Sequence, residues 1–276
     1  MLVVKVGGGP SIDWEAVCAD IAFRRRREPL VLVHGGSKEL DRVSSLLGHP
    51  PVTVTSASGI QSRYTDDATM EIFTMVYAGS ANVSVVKRLQ QCGVAAVGLS
   101  GVDGALLRGP EKGTVRTRGD DGRERVLRGD RTGRVTAVNA GLLRLLLGAG
   151  YLPVVCPPAL SERGRTMNVD GDRAAAQVAC ALGADTLVLL SDVPGLLVDP
   201  DDSGSVVLDV RSNEVGGAAA IARGRMRVKV LAAQEALLGG VIRVVLADGR
   251  VSSPISRACQ GHGTVFRSQG VPRARE

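Results

Sequence analysis

The chain has 276 residues, of which 44% are hydrophobic and 3% aromatic, and its formal net charge is +6. This length is enough for one large core or two lobes, and the core must be aliphatic and rich in alanine. The basic balance suits nucleic acid, an anionic small substrate or an acidic protein partner, but the scarcity of aromatic side chains argues against single-stranded nucleic acid.

Cysteine use and charge pattern predict a cytoplasmic protein that is not inserted in a membrane. The five cysteines are scattered without a Cys-x-x-Cys pair, which favours a reducing compartment over a disulfide framework or a zinc site. The chain enters a strand at once, so we expect no signal peptide. Charged residues interrupt the apolar segments of near membrane-spanning length, namely Arg144, Asp185 and Asp192.

The first ten residues join a buried strand to a run of glycines. The apolar residues around Lys5 predict a strand, and a lysine buried there needs a partner. Gly7, Gly8 and Gly9 follow, and glycine lets the main chain approach a ligand closely. A cation at a strand end beside free N–H groups suits a phosphate. The competing interpretation is a surface lysine before a tight turn.

The same design then repeats. Asp13 is expected to cap a helix over residues 14–26, and Pro29 ends that helix before a strand over residues 30–33. Gly35 and Gly36 follow this strand, and a helix begins near Lys38, so its first N–H groups add to the attraction for an anion. Two such units in a parallel sheet would bring both glycine turns to its carboxyl edge, where open α/β sheets bind ligands.

The middle of the chain departs from this alternation. Helices are predicted over residues 67–76 and 82–92, with a strand over residues 95–99. Short strands over residues 105–107, 114–117 and 125–127 alternate with Gly-Asp turns and predict antiparallel hairpins. Charged hairpin edges commonly prevent aggregation, and the alternative is a basic flap over a substrate site. The arginines concerned are Arg116, Arg118, Arg123, Arg125, Arg128, Arg131 and Arg134.

The last third returns to alternating strands and helices, and the whole chain predicts an α/β fold: a three-layer α/β/α sandwich around a mainly parallel sheet with an antiparallel hairpin flap. Residues 267–276 are predicted to form a polar, frayed end. The helices expected here cover residues 139–147, 173–182 and 224–237, and the strands cover residues 152–155, 184–190 and 241–246.

Most familiar catalytic motifs are missing from the sequence. It has no Gly-x-x-x-x-Gly-Lys-Ser/Thr, its three histidines have no metal-ligand spacing, and no serine or cysteine lies in a nucleophile elbow. The remaining chemistry is that of Lys5, Asp172, Lys229 and the two glycine turns. Positioning and charge neutralisation by such groups are typical of phosphoryl transfer.

Over nearly its whole length the sequence resembles the amino acid kinase family. Six motifs in the family's order carry the resemblance, and together they are far more specific than any one alone. It is most similar to the carrier-protein branch, the LysW-type aminoadipate or glutamate kinases, through Gly48-His-Pro-Pro, Ser62-Arg-Tyr-Thr-Asp and residues 98–104. The six motifs are Lys5-Val-Gly-Gly, Val33-His-Gly-Gly, the loop arginine Arg63, Asn168-Val-Asp-Gly-Asp, Leu189-Leu-Ser-Asp-Val and Gly224-Arg-Met-Arg-Val-Lys.

The resemblance implies an ATP-dependent kinase that phosphorylates the side-chain carboxylate of an N-blocked acidic amino acid, with Mg²⁺ between the ATP phosphates and no protein residue assigned as a metal ligand. It assigns catalysis to Lys5 and Lys229, held by Asp172. It assigns substrate binding to Gly35, Gly36, Arg63 and Asn168. It assigns the nucleotide to Gly7, Gly8, Ser191, Asp192 and Gly195.

The resemblance also implies partners and a domain division. We expect a small acidic amino-group carrier protein, LysW-like, to present the substrate and to meet the arginine-rich flap. A homodimer is expected, because the chain starts at its first strand. The predicted lobes of one continuous domain are residues 1–165, for the carboxylate substrate and dimerisation, and residues 166–276, for ATP.

Three other functions remain open from the sequence. One is an N-acetylglutamate kinase of arginine synthesis, and another is a nucleotide monophosphate kinase. The third is a non-catalytic amino-acid or nucleotide sensor, against which the intact Lys5, Asp172 and Lys229 argue. One departure from the family pattern is Arg173, which replaces a usual glutamine and could change the charge around Asp172.

Overall fold

The structure, a computed structural model, describes residues 1–55, 61–118 and 124–268. Helices and strands alternate through most of this part of the chain. The helices are α1 (Trp14–Arg24), α2 (Ser37–Leu46), α3 (Asp67–Thr74), α4 (Asn82–Gln91), α5 (Ala140–Gly148), α6 (Gly171–Leu182), α7 (Val215–Ile221), α8 (Arg225–Leu238) and α9 (Pro254–Cys259). The strands are β1 (Leu2–Val6), β2 (Leu30–His34), β3 (Thr53–Thr55), β4 (Gln61–Arg63), β5 (Ala96–Gly101), β6 (Leu107–Gly109), β7 (Glu111–Arg118), β8 (Glu124–Gly133), β9 (Ala137–Val138), β10 (Leu152–Ser161), β11 (Thr166–Asn168), β12 (Thr186–Ser191), β13 (Asp209–Arg211), β14 (Arg243–Asp248) and β15 (Thr264–Arg267).

A mainly parallel sheet forms the centre of the fold. Its inner strands run in the order β5, β10, β2, β1, β12 and β14, and every neighbouring pair among them is parallel. At one edge the sheet ends with β15, which is antiparallel to β14, followed by β13, which is parallel to β15. Parallel strands buried on both faces are continuous apolar runs, which is why β1, β2 and β12 are so rich in valine and leucine.

Helices cover both faces of this sheet and make a three-layer sandwich, as predicted. Alternate side chains of β1 enter different cores: Val3 packs in the core with α6 and α8, whereas Leu2, Val4 and Val6 pack in the core with α1, α4 and α9. Because successive strand residues point to opposite faces, Lys5 shares the face of Val3. The α6–α8 layer is therefore the layer that meets the lysine.

The antiparallel hairpin is present, but with different members from those expected. β7 and β8 pair from Glu111 with Gly133 to Arg118 with Glu124. The predicted strand over residues 105–107 is wrong, because Asp103–Ala105 forms a 3₁₀ turn and β6 pairs with β9 and β10 outside the hairpin. Arg123 lies outside the described residues, and of Arg118 only the backbone is described.

Two other predictions are corrected by the structure. The helix predicted over residues 67–76 ends at Thr74, and a π-helix, Met75–Ala81, joins α3 to α4. The predicted frayed end starts too early, because Arg267 closes β15 and its Nε donates to Asp209 Oδ1 at 2.7 Å. Residues 269–276 of that prediction lie outside the described part. No described helix has both the length and the apolar character needed to cross a bilayer.

Candidate active site

Three strands bring three predicted motifs to one edge of the sheet. β1 lies between β2 and β12, with Val6 in register with His34 and with Leu190. Gly7 N–H donates to Leu190 O at 3.1 Å, and Gly35 N–H donates to Val6 O at 2.9 Å. The two glycine turns and the start of the Ser191 loop therefore meet at the carboxyl edge, where ligands of open α/β sheets bind.

A buried cluster of two lysines and one aspartate lies beside this edge. Lys5 Nζ is 2.6 Å from Asp172 Oδ1, and Lys229 Nζ is 3.0 Å from Asp172 Oδ2. Lys5, Asp172 and Lys229 are 6%, 6% and 8% exposed. With both amines protonated the cluster carries one net positive charge in a site that excludes most water, where a charge acts more strongly on an anion than it would in solvent.

Each member of the cluster is positioned by its own element. Asp170 caps α6, accepting at Oδ1 from Asp172 N at 3.0 Å, which fixes Asp172 on the first turn. Gly224 precedes α8 with φ +53° and ψ −126°, a conformation that favours glycine, and Lys229 follows on the second turn. The helices thus carry the acid and the second lysine to the lysine of β1.

The charges in the cluster control one another's protonation. Burial alone would raise the pKa of Asp172, but the charges and hydrogen bonds of Lys229 and Lys5 outweigh it and hold that pKa well below its usual range. Burial lowers the pKa of Lys5, and the charge of Asp172 opposes this shift. Asp172 is therefore ionised, and its two ion-pair partners are the amines of Lys5 and Lys229.

The two glycine turns touch each other without room for side chains. A Cβ added to Gly8 would lie 2.7 Å from Ser37 N and 2.8 Å from Gly36 N. A Cβ added to Gly35 would lie 2.9 Å from Gly8 N. Glycine is required here for close approach of backbone to backbone, and the contact gathers several main-chain N–H groups at the start of α2.

His34 fixes the orientation of the second turn from inside the protein. Asn82 Nδ2 donates to Val154 O at 3.1 Å and lies 3.0 Å from His34 Nε2, so this ring nitrogen must accept. The ring proton then lies on Nδ1, 2.9 Å from Gly35 O. Because a peptide group is planar and trans, holding Gly35 O inward directs the Gly36 N–H the other way.

Burial lowers the pKa of His34 to about 4, against 6.5 for an ordinary histidine. The pKa of His34 is lower in the folded state than in the unfolded chain, so protonation of its ring favours unfolding. The contribution of His34 to the free energy of unfolding is therefore fully present above pH 6.5 and is lost as pH falls through about 4. Between pH 7.5 and pH 4 the wild type should lose about 3 kcal/mol more free energy of unfolding than His34→Gln. Urea unfolding at both pH values measures this difference, and equal losses would contradict it.

The predicted substrate residues Arg63 and Asn168 lie on the same loop network. Asn168 Nδ2 donates to Thr65 Oγ1 at 3.0 Å, and Thr65 Oγ1 donates to Arg63 O at 3.3 Å. Arg63 Nη2 bonds to Asp41 of α2, whereas its Nη1 is buried without a hydrogen-bond partner in the described part of the chain. Arg63 therefore already holds one internal carboxylate.

The predicted nucleotide residues split into two environments. Ser191 Oγ is 3.3 Å from Asp192 Oδ1, and the Asp192 carboxylate lies beside the first turn, with Oδ2 3.2 Å from a Cβ added to Gly9. Gly195 is buried, and a Cβ there would lie 2.7 Å from Thr264 Oγ1. Packing against β15 therefore accounts for the glycine at 195, and its role toward a nucleotide stays a prediction.

Several site residues carry no sequence signal that we recognised. Tyr77 of the π-helix packs on the second turn, its ring 3.5 Å from a Cβ added to Gly36, and burial raises its pKa to about 12. Asn82 holds His34, and Asp41 holds Arg63. A π-helical turn is frequent at functional sites but has no local sequence pattern, so these contacts emerge only from the fold.

Among the described residues, no group of three or more histidine, cysteine, aspartate or glutamate side chains is arranged to hold a metal ion. Asp172, the buried carboxylate of the cluster, already receives hydrogen bonds from two amines. A Mg²⁺ ion needs about six oxygen ligands, so the described side chains alone do not make a site for it.

A buried Lys–Asp–Lys cluster beside two glycine turns, at the carboxyl edge of a layered α/β sheet, has the positioned charges that phosphoryl transfer requires. The sequence profile described as the Amino acid kinase family matches residues 1–248. The chain belongs to this family.

Related proteins have more specific names. The chain is 56% identical over 266 residues to the [LysW]-aminoadipate kinase of Deinococcus radiodurans, covering 96% of this chain and 91% of that protein. It is 49% identical over 270 residues to the protein of the same name from Thermus thermophilus, covering 97% and 100%. An acetylglutamate kinase of Pelotomaculum thermopropionicum is 35% identical over 261 residues, covering 92% and 86%.

Solved structures share the fold. The N-acetylglutamate synthase of Neisseria gonorrhoeae, complexed with coenzyme A and N-acetyl-glutamate, superimposes with a TM-score of 0.76 at 25% identity. The match covers 100% of this chain but 62% of the synthase chain, so the synthase has a large part without a counterpart here.

Proposed function

We propose that this protein transfers the γ-phosphoryl group of ATP to the side-chain carboxylate of 2-aminoadipate or glutamate whose amino group is blocked by a small acidic carrier protein. The product is an acyl phosphate, and the reaction belongs to amino-acid biosynthesis of the lysine or arginine type. The observation that carries the proposal is the buried contact of Lys5 and Lys229 with one acid, Asp172, beside two glycine turns. The names of relatives at 56% and 49% identity support the choice of substrate.

The chemistry needs positioning more than proton transfer. The acceptor carboxylate has a reference pKa near 4 and is already ionised at neutral pH, so no general base is required. One carboxylate oxygen forms a bond to the γ-phosphorus while the bond from that phosphorus to the β–γ bridging oxygen breaks, and ADP leaves with the electron pair. Lys5 would neutralise the transferring group and Lys229 the leaving side, with Asp172 keeping both amines in place.

The remaining residues would hold the two substrates on opposite sides of this cluster. We assign Gly7, Gly8, Ser191, Asp192 and Gly195 to ATP. We assign Gly35, Gly36, Arg63 and Asn168 to the acceptor, with main-chain N–H groups offering fixed dipoles to the phosphoryl oxygens. ATP would enter as its magnesium complex, with Mg²⁺ held by the nucleotide phosphates and water, and we assign it no protein ligand.

The outer face of the β7–β8 hairpin offers a surface for an acidic carrier. Arg116 is opposite Val126 and Thr114 is opposite Arg128, so these side chains share one face. Arg116 and Arg128 are exposed, and Val126 between them is 58% exposed. An apolar side chain rimmed by arginines is typical of a protein-binding surface, and its charge complements an acidic partner.

Arg131 of the flap and the arginines at the end of α1 contribute less to this surface. Arg131 Nε is 2.8 Å from Glu111 Oε1, and its guanidinium also bonds to Asp67, so its charge is compensated internally. In the run at the end of α1, Arg24 pairs with Glu28 and Arg25 bonds to Gly150 O. We therefore restrict the proposed carrier surface to the hairpin face bearing Arg116 and Arg128.

Reversing the charge of this face should weaken docking of the carrier without slowing turnover of the bound substrate. For Arg116→Glu with Arg128→Glu we expect KM for a carrier-linked substrate to rise at least about tenfold and its salt dependence to flatten, with kcat within about twofold. Lys87→Glu with Arg88→Glu, exposed on α4, makes the same charge change elsewhere and should leave KM unaltered. Equal effects of both double variants would point to net charge instead of docking.

The function is tested by comparing acceptors. The enzyme is given ATP with carrier-linked 2-aminoadipate, carrier-linked glutamate or N-acetylglutamate, and the acyl phosphate is trapped with hydroxylamine. We expect kcat/KM at least about 100-fold higher for a carrier-linked substrate, equivalent to roughly 2.8 kcal/mol of docking energy. A preference for N-acetylglutamate would support the acetylglutamate kinase alternative, and ATP binding without turnover on any acceptor would support a sensor.

We further propose a homodimer in the cytoplasm, with residues 1–165 as the acceptor lobe and residues 166–276 as the ATP lobe. Exposed apolar side chains on two contacting helical segments, Leu46 and Met75, are candidates for the dimer contact. The five cysteines are unpaired, which agrees with a reducing compartment.

A further inference from the structure

The distance between the catalytic acid and the second lysine depends on how two helices pack. Asp172 is on the first turn of α6 and Lys229 on the second turn of α8, 57 residues apart in sequence. Neither helix is tied covalently to the other near this contact. Any slide or rotation of α6 against α8 would therefore move the Asp172 carboxylate relative to the Lys229 amine.

Many of the buried residues on these two helices are small. Ala175, Ala176 and Ala179 on α6, and Ala232, Ala233 and Ala236 on α8, are all buried in one core. The helices approach so closely that a Cβ added to Gly239 would lie 2.2 Å from Cys180 Sγ. Alanine faces allow close approach, but they offer few projecting side chains that interlock and fix the register.

The helices are joined by weak Cys180 Sγ hydrogen bonds to Glu235 O at 3.9 Å and Ala236 O at 3.7 Å, and by one charged, forked contact. Arg173 Nε lies 3.1 Å from both Glu235 carboxylate oxygens, and its Nη2 lies 2.5 Å from Oε1. The side chains are 34% and 22% exposed. A forked pair of this kind fixes orientation as well as distance, whereas a partly exposed ion pair adds little to global stability.

The pair is next to the catalytic contact on α6 and more than one turn away from it on α8. Arg173 follows Asp172 directly, and Glu235 is six residues beyond Lys229, about 9 Å along α8. Two cross-helix contacts separated by this length fix both the axial position and the rotation of α6. Arg173, which stands where the family usually has glutamine, thus contacts Glu235 and not Asp172.

We propose that Arg173 is a positioning residue whose forked bond to Glu235 sets the register of α6 on α8 and so keeps Asp172 within hydrogen-bond distance of Lys229. The inference rests on the proposed function, because it concerns the geometry of that same cluster. Neither Arg173 nor Glu235 is assigned a contact with the reacting atoms.

Arg173→Met and Glu235→Gln test the proposal by kinetics. We expect each to lower kcat about 10- to 100-fold, because displacements near 1 Å can cost that much, with KM for both substrates within about twofold. The charge exchange Arg173→Glu with Glu235→Arg should recover most of the loss, and Arg173→Lys part of it. The control is Arg144→Met, which removes an arginine contact to Ala181 O at the far end of α6 and should leave kcat unaltered.

A measurement that does not depend on turnover tests the positioning role of Arg173 separately from the proposed function. Acetylation of Lys229 by a small reagent, followed by mass spectrometry, should be slow in the wild type and at least several-fold faster in Arg173→Met. If the wild type phosphorylates no acceptor but this protection difference is found, the function fails and the positioning role stands. Unchanged kcat and unchanged protection in Arg173→Met, or losses that add in Arg173→Met with Glu235→Gln, would overturn the positioning role.

Discussion

Replacing Asp172 with asparagine is expected to lower kcat at least about 1000-fold, the largest effect of any single change in the site. Asparagine matches the size of aspartate but not its charge, so two buried amines lose their shared counter-ion. Burial already lowers the pKa of Lys5, and only the charge of Asp172 and its hydrogen bond oppose this strongly. Without the charge of Asp172 the pKa of Lys5 would fall further, and the stabilisation that its positive charge gives the transferring phosphoryl group would weaken.

The same variant should also be less stable. Breaking a buried ion network by removing one partner costs on the order of 3–5 kcal/mol. Asp20→Asn is the matched control, since Asp20 is 4% exposed, accepts from Ser256 N at 2.8 Å and is on α1, in the layer on the other face of the sheet from the lysines. We expect Asp20→Asn to lower the free energy of unfolding without changing kcat of the folded enzyme. Hydroxamate assays and urea unfolding measure both quantities, and a loss of kcat below about tenfold in Asp172→Asn would contradict the assignment.

Gly8→Ala is expected to lower kcat/KM about 100- to 1000-fold. The new methyl group would lie 2.7 Å and 2.8 Å from two backbone nitrogens, Ser37 N and Gly36 N, which no flexible side chain can relieve. The two turns must separate, and the N–H groups that would receive the phosphoryl oxygens lose their common focus. Removing a single preorganised donor from a comparable site costs about 100- to 1000-fold.

Two further alanine variants separate this steric effect from the loss of a glycine as such. A Cβ on Gly36 would be 3.4 Å from Ala81 Cβ, an ordinary contact, so Gly36→Ala should cost less than about tenfold. Gly148 at the end of α5 has open space, and Gly148→Ala should be neutral. Steady-state kinetics with the carrier-linked acceptor decides, and a similar loss in Gly36→Ala and Gly8→Ala would refute the contact argument.

The fold could be predicted from the sequence wherever local patterns carry the information. The β1 and β2 runs, the glycines after them and the Asp13 cap depend on nearest neighbours, and the structure confirms these elements, with Asp13 Oδ1 accepting from Ala16 N at 3.0 Å. β10 was harder. Pro157 and Pro158 suggest an end near Val155, yet the strand continues to Ser161 because its second half changes partners to β6 and β11.

The candidate site likewise contains residues that local motifs identify and contacts that only the tertiary structure reveals. Lys5, Asp172 and Lys229 could be named from their motifs, and the fold brings them into contact. The engagement of Arg173 by Glu235, and the compensation of Arg131 by Glu111, join elements distant in sequence. No local pattern marks which of many arginines will find an internal carboxylate, so the fate of each charge had to come from the tertiary structure.

All the groups assigned to catalysis come from strand ends and from the α6–α8 layer, which leaves the layer of α1, α4 and α9 as support. Cys92 follows α4 on this supporting side and is the exposed one of the five cysteines. A thiol-reactive fluorophore would therefore attach there first, on the side of the sheet away from the reactive amines. The native sequence thus already contains an anchoring point for an optical reporter of nucleotide and carrier binding.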